Sequence, residues 1–193
     1  MRKTITVGTL AAALIAPAVA WAHPQPADTT FLAGFIHPYL GLDHVLAMIA
    51  VGIWAVQIGG RAVWALPTAF TTAMLAGAAI GRVGIEVTAV EPLAAATVLV
   101  LGILLMIRFR ASVVEGALLA AAFAVFHGAA HTAEAPASAN LAAYGAGLLV
   151  ATMLLHLIGI FAAVAVRGRD AVLRVAAAPV AFAGMWLLVS RII

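Results

Sequence analysis

Apolar runs as long as a bilayer is thick leave this chain few ways to fold. Residues 38–58, 62–82, 89–107, 112–132, 141–166 and 171–191 each read as nearly unbroken aliphatic and aromatic sequence, with ionisable groups mostly near the ends. About 20 such residues in a helix span the hydrocarbon core. Lipid offers no partner to a backbone amide, so a spanning segment must satisfy its own. The expectation is an all-α polytopic membrane bundle of six transmembrane helices, with short connections that set neighbouring spans antiparallel. The composition agrees, with 66% hydrophobic and 9% charged residues, where soluble domains carry about 25% charged. The net positive charge does not indicate nucleic acid, because the basic residues are scattered at span ends rather than gathered in a patch.

The first residues read as a cleavable signal peptide, residues 1–22. Arg2 and Lys3 precede an apolar run, and Ala20-Trp21-Ala22 supplies the small-x-small cleavage pattern. The mature six-span domain is then 23–193, beginning at His23. With that end outside, Arg61, Arg108, Arg110, Arg167, Arg169 and Arg174 fall on the cytoplasmic side, against Arg82 and Arg191 outside. This is the positive-inside bias. It predicts a multi-pass protein of the cell inner membrane with its mature N-terminus periplasmic.

Ionisable groups are costly in lipid and are functional suspects wherever they occur in a span. His37, Asp43 and His44 open the first span on the outer side, with Pro38 as its first-turn residue and His37 just ahead of the helix. Glu86 and Glu91 flank the outer start of the third span. His127 and His131 stand at i and i+4 near the outer end of the fourth, where they share a face and can chelate one ion. Glu134 lies on nearly the same face. His156, in the fifth span, lies past the bilayer midplane at about 1.5 Å per residue. Glu115 reads as a helix-end carboxylate near Arg108 or Arg110. Cysteine is absent, so donors are imidazole and carboxylate, which suit divalent nickel, cobalt, zinc or iron. Binding needs neutral imidazole, so affinity should fall on acidification.

Plainer readings stand beside these. A single intramembrane histidine such as His156 also serves as a packing residue, and Asp43 beside His44 also makes a structural ion pair. Gly77 with Gly81, and Gly145, Gly147 and Gly159, let helices approach closely. The methionines and tryptophans are packing or lipid-facing residues.

Four segments give the chain a likeness. His37-Pro38-Tyr39-Leu40-Gly41-Leu42-Asp43-His44 and its continuation to Ala55, Val90-Glu91-Pro92, Phe126-His127-Gly128-Ala129-Ala130-His131 with Glu134, and Tyr144 to Gly159 around His156 resemble the HupE/UreJ family. Its members are hydrogenase- and urease-associated membrane proteins regarded as nickel permeases. Ala129 stands where members commonly carry another histidine, and Thr132 where they tend to have glycine. The resemblance implies a permease supplying nickel for hydrogenase or urease assembly. Spacing alone stops at a divalent metal entering from outside, and cobalt fits it as well.

The expected metal set is His37, Asp43, His44, Glu91, His127 and His131 as an outer capture site, with His156 as a deeper relay. No catalytic cofactor is expected, and no enzymatic activity. A phosphate-binding G-x-x-x-x-G-K-[ST] loop is missing. Three rival readings are a bis-histidine membrane cytochrome, a metal-binding sensor or accessory scaffold that transports nothing, and an intramembrane metalloprotease. The last needs glutamate directly after the first histidine, and Gly128 stands there.

Overall fold

A computed structural model describes residues 31–82, 89–134 and 140–193, without the side chains of 82 and 131–134. The expected signal peptide, His23 and Glu86 lie outside the described residues. Among those described there are seven α-helices and no strand: α1 Phe31–Leu40, α2 Leu42–Ile58, α3 Ala62–Arg82, α4 Val90–Ile107, α5 Val113–Glu134, α6 Leu141–Ala165 and α7 Asp170–Ile192. Five of them, α3 to α7, are long and apolar enough to cross a membrane. α1 and α2 together make a sixth candidate, bent by 87° at their junction. The chain is a multi-pass helical membrane protein.

That bend corrects the expected first span. The chain is already helical from Phe31, so Pro38 lies inside α1 rather than opening a helix, and His37 is helical rather than extended ahead of one. A proline near the end of a short helix forfeits a single backbone bond, and the apolar run before it carries the helix through. The break comes instead at Gly41, which is extended at φ −102° and ψ 115°. A Cβ on Gly41 would stand 2.5 Å from Nδ1 of His44 and 2.9 Å from Oδ1 of Asp43. The glycine therefore leaves room for both side chains to fold back over the N-terminus of α2.

Glycines seat the helices in pairs. A Cβ on Gly52 of α2 would fall on the carbonyl oxygen of His156 in α6, and one on Gly159 of α6 on that of Ile49. Gly77 of α3 and Gly128 of α5 press in the same reciprocal way on Val125 and Met74. Gly102 and Gly184 join α4 to α7, and Gly34 and Gly147 join α1 to α6. Backbones this close gain the van der Waals contact that drives helix association in lipid. Of the glycines expected to pack, Gly145 has no neighbour within 4 Å.

Polar contacts tie α4 and α7 antiparallel. Arg108 pairs with Asp170 at one end, and Arg191 reaches Glu91 at the other. Glu115 is the helix-end carboxylate expected, in the first turn of α5. Its carboxylate accepts from the Ser112 backbone N–H at 2.8 Å, while Ser112 Oγ accepts from the Glu115 N–H at 3.2 Å, a capping box that starts α5. Trp54, Phe70, Met48, Leu66 and Met74 fill the centre of the bundle. Phe161, Val175, Phe182 and Trp186 point outward, as lipid-facing residues do. Trp54 ties the C-terminal ends of α2 and α4 by donating its indole N–H to the Phe109 carbonyl at 3.0 Å.

Candidate metal centre

Asp43 and His44 sit in the first turn of α2, and both are buried. Asp43 Oδ1 accepts the His44 backbone N–H at 2.9 Å and lies 2.8 Å from His44 Nδ1. A carboxylate at Nδ1 takes that nitrogen's proton in a hydrogen bond and leaves the imidazole lone pair on Nε2. This is how ligating histidines are commonly oriented. The ion pair anticipated between these neighbours exists, and it is of the kind that prepares a ligand.

His127 comes from α5 and is fully buried, because Gly128 lets α5 sit against α3 at this level. Its ring lies 5.0 Å from that of His44, edge to face. Thr97 Oγ1 donates to the Ala94 carbonyl at 2.7 Å and lies 2.9 Å from His127 Nε2. Since the hydroxyl has a single proton, already given to Ala94, it accepts from His127. The proton is thus on Nε2 and the lone pair on Nδ1, which has no hydrogen-bond partner among the described residues.

Asp43, His44 and His127 each offer one donor atom, and these lie within 4.8 Å of one another. First-row divalent ions hold such donors at about 2.0–2.2 Å, as zinc does, so the three need only contract to share an ion. Two nitrogens and a carboxylate oxygen, without sulfur, suit a borderline divalent metal. The close edge-to-face approach of His44 to His127 leaves no slot for a porphyrin between them, which argues against this pair as haem ligands.

The other expected residues divide. His37, half-buried in α1, has its ring 6.4 Å from that of His44, edge-on, and 5.8 Å from that of Tyr144, tilted, beside the cluster. His156 is fully buried on the far side of Phe70, whose ring lies 6.0 Å from His127 and 5.2 Å from His156. The Thr152 backbone carbonyl interacts with the His156 ring, and no side chain among the described residues bonds either ring nitrogen. Glu91 is not brought into the cluster: its side chain is 68% exposed and stands by Arg191. His131 falls in the last turns of α5, and its side chain lies outside the described residues.

A family model described as HupE / UreJ protein matches residues 10–187, nearly the whole chain. The chain belongs to the HupE/UreJ family. Protein HupE of Rhizobium leguminosarum bv. viciae is similar to it, 42% identical over 189 residues that cover 97% of this chain and 99% of that protein. No solved structure matches.

Sequence reasoning on this HupE/UreJ chain passed over three residues of the site. Arg191 donates to Asp43 Oδ2 at 2.9 Å and to the Glu91 carbonyl at 2.8 Å. Its signal was present, as an arginine on the side that the charge bias leaves poor. Thr97 and Phe70 gave none, since a threonine or phenylalanine in an apolar span is ordinary.

Proposed function

We propose that this HupE/UreJ protein is an inner-membrane permease that moves a divalent transition metal, nickel foremost, into the cytoplasm for hydrogenase or urease assembly. α1 and α2 act as one broken span, giving six, with the mature N-terminus outside. The observation that carries the reading is the convergence of Asp43, His44 and His127, buried, from two helices. Such groups are expensive in lipid unless they serve a pathway.

The ring sequence His37, His44, His127, Phe70, His156 supplies a direction. The ion exchanges water for imidazole and carboxylate at the outer cluster, and the carboxylate charge offsets the cost of desolvation. His156, whose ring bonds no side chain among the described residues, is the next ligand inward once Phe70 gives way. An inside-negative potential favours entry of a dication by about 4.6 kcal/mol per 100 mV, twice the value for a single charge. That is about three decades of concentration ratio, so ATP is not required.

The test is radioactive nickel uptake into proteoliposomes carrying the parent, His44→Ala or His127→Ala, with cobalt, zinc and copper as competitors. The expected result is uptake by the parent, inhibited by cobalt more than by copper, and loss of at least about tenfold in either variant. Parent protein that binds nickel but moves none would make it a sensor or scaffold. Uptake by both variants equal to the parent would remove the cluster from the path.

A further inference from the structure

An arginine reaches the only carboxylate of the described donor cluster. Arg191, in the last turn of α7, donates from Nη1 to Asp43 Oδ2 and to the Glu91 carbonyl, while its Nε lies 3.8 Å from Glu91 Oε2. One guanidinium thus bridges a buried acid and an exposed one: the Asp43 side chain is 3% exposed and that of Glu91 68%. With neutral imidazoles, the cluster without metal is balanced, one negative charge against one positive.

A dication entering that cluster changes the balance. If Arg191 stayed on Asp43, two cationic centres would share one carboxylate inside a low-dielectric bundle, where like charges at such distances repel strongly. The same carboxylate oxygen would also have to serve both a guanidinium N–H and the metal. Glu91 offers the guanidinium a second anion within a short swing, at the edge of the bundle.

We infer that Arg191 is a tethered stand-in for the cargo: it neutralises Asp43 when the site is empty, is displaced onto the Glu91 carboxylate when the metal binds, and returns to help expel the ion. This rests on the metal-permease reading of the site and deepens it. It assigns Glu91 as the partner of the displaced arginine rather than as a ligand. No proton need move, because the exchange is cation for cation. The arrangement also favours release. A site that binds only by evicting its own cation holds the metal less tightly than its ligands would allow.

The experiment is equilibrium binding of nickel ion to the full chain in detergent, with uptake measured in parallel. The competing charge is removed in Arg191→Gln, held less firmly in Arg191→Lys, and stranded in Glu91→Gln. Lysine keeps the charge but is a point donor that does not span Asp43 and the Glu91 carbonyl as the guanidinium fork does. The expected result is tighter binding by R191Q, about tenfold or more, R191K between it and the parent, and slower uptake by R191Q because release is slowed. E91Q should bind more weakly than the parent, and the double variant E91Q/R191Q should recover the affinity of R191Q.

Weaker binding by R191Q or R191K than by the parent overturns the inference, since Arg191 would then only prop Asp43 in place. A double variant as weak as E91Q also overturns it, since Glu91 would then be a ligand. A parent that binds no nickel, cobalt or zinc overturns the metal reading and this inference together. R191K retains a cation beside Asp43, so it decides the matter if R191Q does not fold.

Discussion

Thr97 has one proton and gives it to Ala94, so His127 can only donate to it. That small fact selects the tautomer of a buried imidazole and leaves its lone pair on Nδ1, the nitrogen with no hydrogen-bond partner among the described residues. Thr97→Val keeps the shape of the side chain and removes the acceptor, leaving His127 free to flip or change tautomer. Metal affinity should fall about 10- to 100-fold, the usual cost of losing an outer partner of a ligating histidine. Thr97→Ser should retain most of it. Nickel titration of both variants checks this, and equal affinity in Thr97→Val and the parent would mean that the tautomer is set by something else. The same scale shows why the pairing of Glu91 with Arg191 is not legible from sequence. An acid at the outer start of a span looks like a ligand, and an arginine near the outer end of another looks like an exception to the charge bias. Their pairing across α4 and α7 is a matter of which faces meet, and no spacing within either helix records it.

At the scale of the helices, the donors are placed by glycine contacts. His127 is followed by Gly128, whose missing Cβ lets α5 lie on the backbone of α3 at Met74. Gly128→Ala would push the two helices apart, at a cost of about 1–3 kcal/mol for overpacking, and would draw His127 away from Asp43 and His44. The expected outcome is a lower melting temperature in detergent together with weaker nickel binding. Gly145→Ala, at a position with no neighbour within 4 Å, should leave both unchanged and serves as the control. A Gly128→Ala protein that binds nickel as the parent does would show that the cluster tolerates a shift of α5. The break between α1 and α2 belongs to this scale too. Pro38 was the visible punctuation, but Gly41 is where the chain turns, because only there do the folded-back side chains of Asp43 and His44 forbid a Cβ.

Over the whole molecule, the two ends of the bundle differ in charge, and the proposed orientation puts the arginine-rich end in the cytoplasm. Arg61, Arg108, Arg110, Arg167, Arg169 and Arg174 mark one face by the positive-inside rule, and the metal cluster lies towards the other. The absence of cysteine makes a direct test convenient. Asn140→Cys, at the start of α6, should react with a membrane-impermeant maleimide on intact spheroplasts, and Arg110→Cys only after lysis. The opposite pattern would place the cluster at the cytoplasmic face and turn the proposed uptake into efflux.

The sequence by itself determined the solvent and the inventory. Runs of about 20 apolar residues leave a chain no alternative to satisfying its backbone in helices within lipid, and the arginines at their ends give an expectation for which end faces which side. Depth along a helix follows from rise per residue, so it was legible in the sequence that Asp43, His44 and His127 lie near span ends and His156 deeper. Rotation and partnership were not. Which donors converge, that Asp43 is shared with Arg191, that Glu91 faces away, and that Thr97 orients His127 all depend on how far each helix turns about its axis when it packs. In a bundle of uniformly apolar helices the hydrophobic pattern barely favours one rotation over another. The choice falls to interlocking glycines and a few buried polar contacts between residues up to 148 positions apart, and only the tertiary structure brings those together.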